Sequence, residues 1–310
     1  MSAQNKVVNG ILPLKLGTGA DKRELDRASS LISSLRYFWR GSEPFELTIV
    51  ARDEEVGLIK ESIIGEGSLV NVTVRSEQEF FPVDSAFFDL PGMYRQQVIK
   101  LYVPSKLQLG PYFTFDADVI CIRPIDEHTF ISDGKVVSTW EPRTIHSWWR
   151  NGMSGFRIWA DLEVPGMGVT PNVLHSDIAG LVFKYLEFRN LDPLKHLNDL
   201  CQKDRVLFKI EGEGMALAWS EYSLYTMVAE WFDLLNTHHL IEKEVKETGV
   251  RVHSRRNVWS VNDVKRLAPD DGDTGYFIVI QSWAGVPIET IYDNLKLPFS
   301  HKGALRSAGV

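Results

Sequence analysis

Two carboxylates, Asp116 and Asp118, stand two residues apart in Y-F-T-F-D-A-D-V-I-C-I-R-P-I, between apolar runs that read as strand. Side chains at that spacing on a strand share a face, so both acids aim at one point where the strand ends. At a separation of ~6 Å and an effective dielectric of ~20, they repel by roughly 3 kcal/mol. A divalent cation offsets that repulsion most directly. An all-oxygen carboxylate site suits Mg2+ or Mn2+ rather than zinc, and such ions commonly bridge to substrate phosphates. The plainer reading is a polar turn with both acids in water. Against it, the turn contains no Gly, Asn or Pro, and its flanks are apolar on both sides.

Other residues have the types that chemistry needs. Arg95, Gln96 and Lys100 lie on the helical stretch before the acids, with Gln96 and Lys100 on one face at i, i+4; such a face is either a ligand contact or simply wet. Glu221 follows the capping residue Ser220, where an acid is also favoured by the helix dipole. His175 and Asp177 open another helical stretch and are of a kind to handle a substrate hydroxyl, although a lone His is often just bonded to backbone. Trp140, Trp148, Trp149 and Trp159 crowd one segment with Arg143, Arg150 and Arg157. Aromatic faces stack on sugar rings and arginines suit anions, so Trp148 and Trp149 are candidates for an acceptor wall; core packing is the equal alternative.

These groups need a scaffold. Ile11–Leu16 reads as a buried strand, followed by a capping box at Asp21 and Glu24 and a helix whose face is Leu25, Ala28, Ile32, Leu35 and Trp39. Phe45–Ala51 is a second strand, Glu54–Ile63 a helix and Ser68–Val74 a third strand. Pro91–Leu107 is helical in pattern until Pro104, and the strand with the acids comes next. Strands alternating with helices imply an α/β fold with a mostly parallel sheet covered on both faces, and the acids then fall at the carboxyl ends, where such sheets bind ligands.

Residues 141–169 show no sustained period and read as a long functional loop. A helix is expected from Thr170 as cap and Pro171 as first helical residue, with Leu174, Ile178, Leu181 and Tyr185 buried. Ser220–Leu235 reads as a further helix, and Val250–Ser254 and Tyr276–Ser282 as strands. No Gly/Ser linker divides the chain, so one domain is expected, with residues 1–140 as a ligand-binding half and 141–310 as an elaborated half.

The totals exclude some partners. A net charge of −7 gives no positive field for nucleic acid. The two cysteines, Cys121 and Cys201, form no C-x-x-C and suit a reducing cytoplasm. The first ten residues carry no apolar signal core, and no apolar run is long enough to span a bilayer; peripheral contact of the Trp- and Arg-rich segment with anionic headgroups is compatible with the sequence.

The motif F-D-A-D-V-x-x-x-R-P, preceded by R-Q-Q-x-x-K-L and a β-α-β-α-β start, resembles the D-x-D motif of metal-dependent nucleotide-sugar glycosyltransferases of the GT-A fold. More narrowly, M-Y-R-Q-Q-V-I-K-L, T-P-N-V-L-H and S-E-Y-S-L-Y resemble segments of bacterial and viral glycan-assembly transferases. The likeness covers about the first 140 residues as a pattern, with scattered motifs beyond. It implies that Asp116 and Asp118 hold Mn2+ or Mg2+ against the diphosphate of a nucleoside-diphosphate sugar, with Asp116 also near the nucleotide. It also implies nucleotide or phosphate contacts for Arg95, Gln96 and Lys100, and a base and ribose seat at Lys15, Gly17 and Thr18. Glu221 falls where inverting members keep a catalytic base. Many such enzymes use a His as third metal ligand; this chain has Gln281 in Y-F-I-V-I-Q-S-W-A-G, with His253 and His301 as competitors. The implied activity is sugar transfer to a glycan or polysaccharide acceptor.

Two rivals share the motif. D-A-D-V also fits haloacid-dehalogenase-like Mg-dependent phosphatases, with Asp116 as nucleophile and Asp270-Asp271 as the distal acids, although that motif normally follows the first strand of its core. A non-catalytic glycan-binding protein would use the tryptophans and a structural ion.

Overall fold

Apolar strands and amphipathic helices alternate through the first third of the chain. This computed structural model describes residues 6–16, 23–63, 68–189, 191–207, 217–268 and 272–297. The series runs β1 (Asn9–Pro13), α1 (Arg23–Phe38), β2 (Phe45–Ala51), α2 (Asp53–Ser62), β3 (Val70–Ser76), α3 (Gly92–Leu107) and β4 (Pro111–Thr114). After it come β5 (Val119–Cys121), the pair β6 (Ile131–Ser132) and β7 (Lys135–Val136), then β8 (Trp140–Pro142), α4 (Ser147–Phe156) and β9 (Pro165–Met167). The remainder is β10 (Asn172–His175), α5 (Ser176–Phe188), α6 (Pro193–Leu207), α7 (Glu221–Trp231), α8 (Leu235–His238), α9 (Glu242–Thr248), β11 (Arg251–His253), β12 (Gly275–Val279) and α10 (Ile288–Leu295).

The central sheet has the order β10-β4-β1-β2-β3, parallel except for β10, which runs antiparallel to β4. The fold is therefore mixed α/β, with a mostly parallel sheet flanked by helices. Strand residues alternate between two cores, as the period of two requires. Ile11 and Tyr112 pack with α3, α5 and α7, whereas Leu12 and Phe113 pack with α1. A smaller sheet, β11-β12-β5, carries the chain just beyond the acids. Because β1 lies between β2 and β4, the strand order reverses there, and the ligand crevice belongs beyond the carboxyl ends of β1 and β4.

Three expectations change. The helix before the acids does not stop at Pro104 but continues to Leu107. Proline has no N–H for the carbonyl four residues back, and the Tyr112 hydroxyl donates to that Lys100 carbonyl at 2.9 Å instead. The helix expected from Thr170 begins at Ser176, since Asn172–His175 pairs with β4. The segment 141–169 is not a loop throughout: it holds α4 and the β8–β9 pair. Asp21 of the expected capping box lies outside the described residues. Cys121 and Cys201 are buried and not joined in a disulfide, and among the described residues no helix is long and apolar enough to cross a membrane.

Candidate active site

Asp116 leaves the carboxyl end of β4 on the same face as Thr114, turned toward α3. There Lys100, 3% exposed, places its ammonium 2.7 Å from Asp116 Oδ1, 2.9 Å from Glu221 Oε1 and 2.8 Å from Thr170 Oγ1. An ammonium has three N–H donors, and these three oxygens engage them all. Behind them the Tyr222 hydroxyl lies 2.7 Å from both Thr114 Oγ1 and Thr170 Oγ1. Burial alone disfavours the charged lysine, but the charges of Asp116 and Glu221 outweigh it and hold its pKa well above the ordinary value. Lys100 is thus a fixed cation joining β4, α7 and the segment before β10.

Asp118 ends the same turn. Its main-chain carbonyl accepts from Ile280 N–H at 2.9 Å, and the Ile280 carbonyl accepts from Arg27 at 2.8 Å. Burial, then the Asp116 charge, push the Asp118 carboxyl up to about 7, with Arg27 and Lys100 pulling the other way. The Asp116 side chain remains 40% exposed. One half-exposed carboxylate beside a carboxyl that resists ionisation is an arrangement a divalent cation would relieve. Among the described residues no group of three or more His, Cys, Asp or Glu forms a metal cluster. The two acids nevertheless fit Mg2+ or Mn2+, which take one or two carboxylates and complete their shell with water and phosphate oxygens.

A narrow cleft of about 10 Å3 lies at the carboxyl ends of β1 and β2, lined by Lys15, Arg52, Glu77, Gly92, Arg95 and Gln96. It brings together three residues singled out from sequence. Arg95 pairs with Glu77 and lies over the rings of Phe87 and Phe88, at 5.0 and 5.3 Å. Gly92, at the start of α3, lies beside the Lys15 ammonium. Gly17 and Thr18 lie outside the described residues.

The remaining candidates divide. Glu221 joins the acid cluster, 4% exposed, behind the Ser220 cap. His175 and Asp177 do not join it. In the antiparallel pairing His175 stands opposite Pro111, at the start of β4, whereas the acids follow its other end. There His175 caps α5, its ring 4.2 Å from that of His238, and burial first and His238 second push it down to about 4.

Gln281 follows Ile280, the partner of the Asp118 carbonyl, and is half-buried beside the acid turn. His253 has both ring nitrogens engaged: Nε2 with the carbonyls of Val169 and Pro171 at 3.1 and 2.9 Å, Nδ1 with Asn257 at 3.2 Å. It borders a cavity of about 550 Å3 that Trp140 also lines. His301, Asp270 and Asp271 lie outside the described residues.

Trp149 is fully buried against Arg143, so it is core rather than an acceptor wall, and Trp148 is partly buried with its ring stacked on His146 at 3.7 Å. Trp159 is exposed but forms part of no site described above. Two other tryptophans, Trp259 and Trp283, flank the Val258–Ile280 bridge, whose Ile280 N–H bonds the Asp118 carbonyl. Trp283, 75% exposed, comes three residues after Ile280, and its indole N–H donates to the Trp259 carbonyl at 3.0 Å. Neither they nor Thr114, Thr170, Tyr222, Arg27 and Arg52 stand out in sequence. Only Thr114, two residues before Asp116, and Tyr222, beside Glu221, carry a local hint.

Among solved structures, the chain is similar to mouse xyloside xylosyltransferase 1 in its apo form, at 12% identity and a TM-score of 0.49, over 91% of this chain and all of that one. It is also similar to the mannosyltransferase Ktr4p from S. cerevisiae, at 11% identity and a TM-score of 0.44, over 72% of this chain and 66% of that one. No curated protein sequence matches it. The model of a family of unknown function, DUF6492, matches residues 5–303, and the chain belongs to that family.

Proposed function

We propose that this protein is a glycosyltransferase that moves a sugar from a nucleoside-diphosphate sugar to a glycan or polysaccharide acceptor, with Mn2+ or Mg2+ at Asp116 and Asp118. One observation carries the reading. The acid pair stands at the point where the strand order reverses, with a cleft bearing Lys15, Arg52 and Arg95 alongside. Carboxylates suit a cation and cationic side chains suit phosphates, so the two neighbouring features together suit a metal-bound diphosphate.

In this reading Lys15, Arg95 and Gln96 hold the nucleotide end of the donor. Asp116 and Asp118 would hold the cation that faces its diphosphate. When bound, that cation stabilises charge on the departing nucleoside diphosphate as a Lewis acid. Gln281 has an amide oxygen to offer beside the same turn. Glu221 is assigned to holding Lys100 rather than to removing a proton, because an acceptor hydroxyl would have to displace that buried bond to reach it. The exposed Trp283 face, beside the acid turn, is assigned to the acceptor sugar.

The phosphatase reading fits less well. It needs Asp116 as an open nucleophile on the first strand of the core, and Asp116 follows the fourth strand with one oxygen engaged by Lys100. The test is a thermal-shift panel of UDP-, GDP- and dTDP-sugars with and without Mn2+, on wild type and Asp118→Ala. Manganese-dependent stabilisation by one nucleotide sugar, lost in the variant, is expected. Hydrolysis of p-nitrophenyl phosphate with no nucleotide binding would favour the phosphatase instead.

A further inference from the structure

Lys100 is held at both ends. Its carbonyl, left without a helical partner by Pro104, receives the Tyr112 hydroxyl, and its ammonium is fixed by Asp116, Glu221 and Thr170. So fixed, it cannot swing away when an ion arrives. One oxygen of Asp116 is already engaged, and a full positive charge stands beside the place where a second cation would sit.

We infer that Lys100 is a built-in counter-cation that weakens the hold of Asp116 and Asp118 on a divalent ion, and that Glu221 limits this weakening by sharing the lysine charge. The inference rests on the cation reading given above. With Asp116, Asp118 and Glu221 ionised, three negative charges face the positive charges of Lys100 and Arg27. Removing Lys100 makes the site more negative, and removing the Glu221 charge makes it less so. Charges within a few ångströms of each other in a partly buried site interact strongly, so the two changes must move ion affinity in opposite directions. A site tuned in this way holds the ion weakly by itself. It holds it well only when diphosphate oxygens complete the shell, so ion and nucleotide come and go together.

The experiment is calorimetric titration of MnCl2, without nucleotide, into the full-length wild type, Lys100→Met, Glu221→Gln and Asp118→Ala, at one pH and ionic strength. Circular dichroism establishes which variants are folded. Lys100→Met is expected to bind Mn2+ about tenfold or more tightly than wild type. Glu221→Gln, which keeps the shape and the acceptor oxygen, is expected to bind severalfold more weakly. Should Lys100→Met fail to fold, Glu221→Gln decides alone. A merely structural lysine would lower stability in both variants without shifting affinity in opposite senses. Unchanged affinities, or shifts of the same sign, with Asp118→Ala abolishing binding, would overturn this inference and leave the cation reading intact. If no protein in the set binds Mn2+ at millimolar concentration, and none gains binding with nucleotide sugar present, both fall.

Discussion

The Lys100 ammonium lies 2.7 Å from Asp116 and 2.9 Å from Glu221, so one buried cation joins carboxylates from the two halves of the chain. Such a cluster is demanding energetically. Taking a charge out of water costs several kcal/mol, and it is offset only while every partner stays in place. Replacing Lys100 with Ala should therefore destabilise the fold by about 3–5 kcal/mol, because two acids lose their counter-charge at once. Glu221→Gln should cost less. Urea denaturation of the two variants at neutral pH gives the comparison, and equal losses would contradict it.

The bond from Tyr112 to the Lys100 carbonyl predicts a coupling across β4 and α3. Tyr112→Phe leaves a buried carbonyl unpaired and should cost about 1–3 kcal/mol. In a Pro104→Ala background, residue 104 regains an N–H for the same carbonyl, and Tyr112→Phe should then cost much less. A double-mutant cycle measures the difference. Additive losses would show that the hydroxyl does not substitute for the missing helical bond.

At the other end of the sheet, burial pushes His175 down to about 4, with the His238 charge adding to the effect. The unfolded chain therefore binds a proton between about pH 6.5 and 4 that the folded chain refuses, so stability falls as pH falls through that window. His175 contributes on the order of 2–3 kcal/mol to that loss. His175→Asn keeps a cap for α5 without a titrating group, and it should flatten part of the slope in denaturation curves taken across the window. An unchanged slope would contradict the assignment to His175.

The tryptophans separate cleanly. Trp149 is fully buried, and Trp149→Ala should cost about 3–5 kcal/mol. Trp283 is 75% exposed, and Trp283→Ala should leave stability within about 0.5 kcal/mol. If Trp283 is the acceptor platform, the same variant should raise the KM for the carbohydrate acceptor with little change for the nucleotide sugar. A change confined to the nucleotide sugar would move the platform to the donor side.

Much of the scaffold was legible because it is local. The face Leu25, Ala28, Ile32, Leu35 defines α1, and the run Phe45–Ala51 is β2 to the residue. What the sequence hid is non-local. Thr170 and Pro171 look like a helix start, but pairing of Asn172–His175 with β4 makes a strand. Helix α4 was hidden by glycines, which are poor helix formers. A Cβ on Gly152 would come within 2.9 Å of the Met227 methyl and one on Gly155 within 3.0 Å of a Leu200 methyl, so each neighbour would have to shift. The site divides in the same way. Asp116, Lys100 and Glu221 could each be singled out by type and position, but their meeting at one ammonium depends on β4, α3 and α7 packing together. Crowding of tryptophans in sequence does not tell which of them are exposed. A crowded segment drew attention to Trp149, while Trp283 owes its place to the pairing of β12 with β5.

The most direct test of the proposed chemistry is anomalous diffraction at the manganese edge, from crystals grown with MnCl2 and whichever nucleotide sugar stabilises the protein. The expected result is a single ion within about 2–2.5 Å of a carboxylate oxygen of Asp116 or Asp118 and of the donor diphosphate, with the nucleotide in the cleft at Lys15 and Arg95. A nucleotide bound elsewhere, or an ion that avoids both acids, would contradict it.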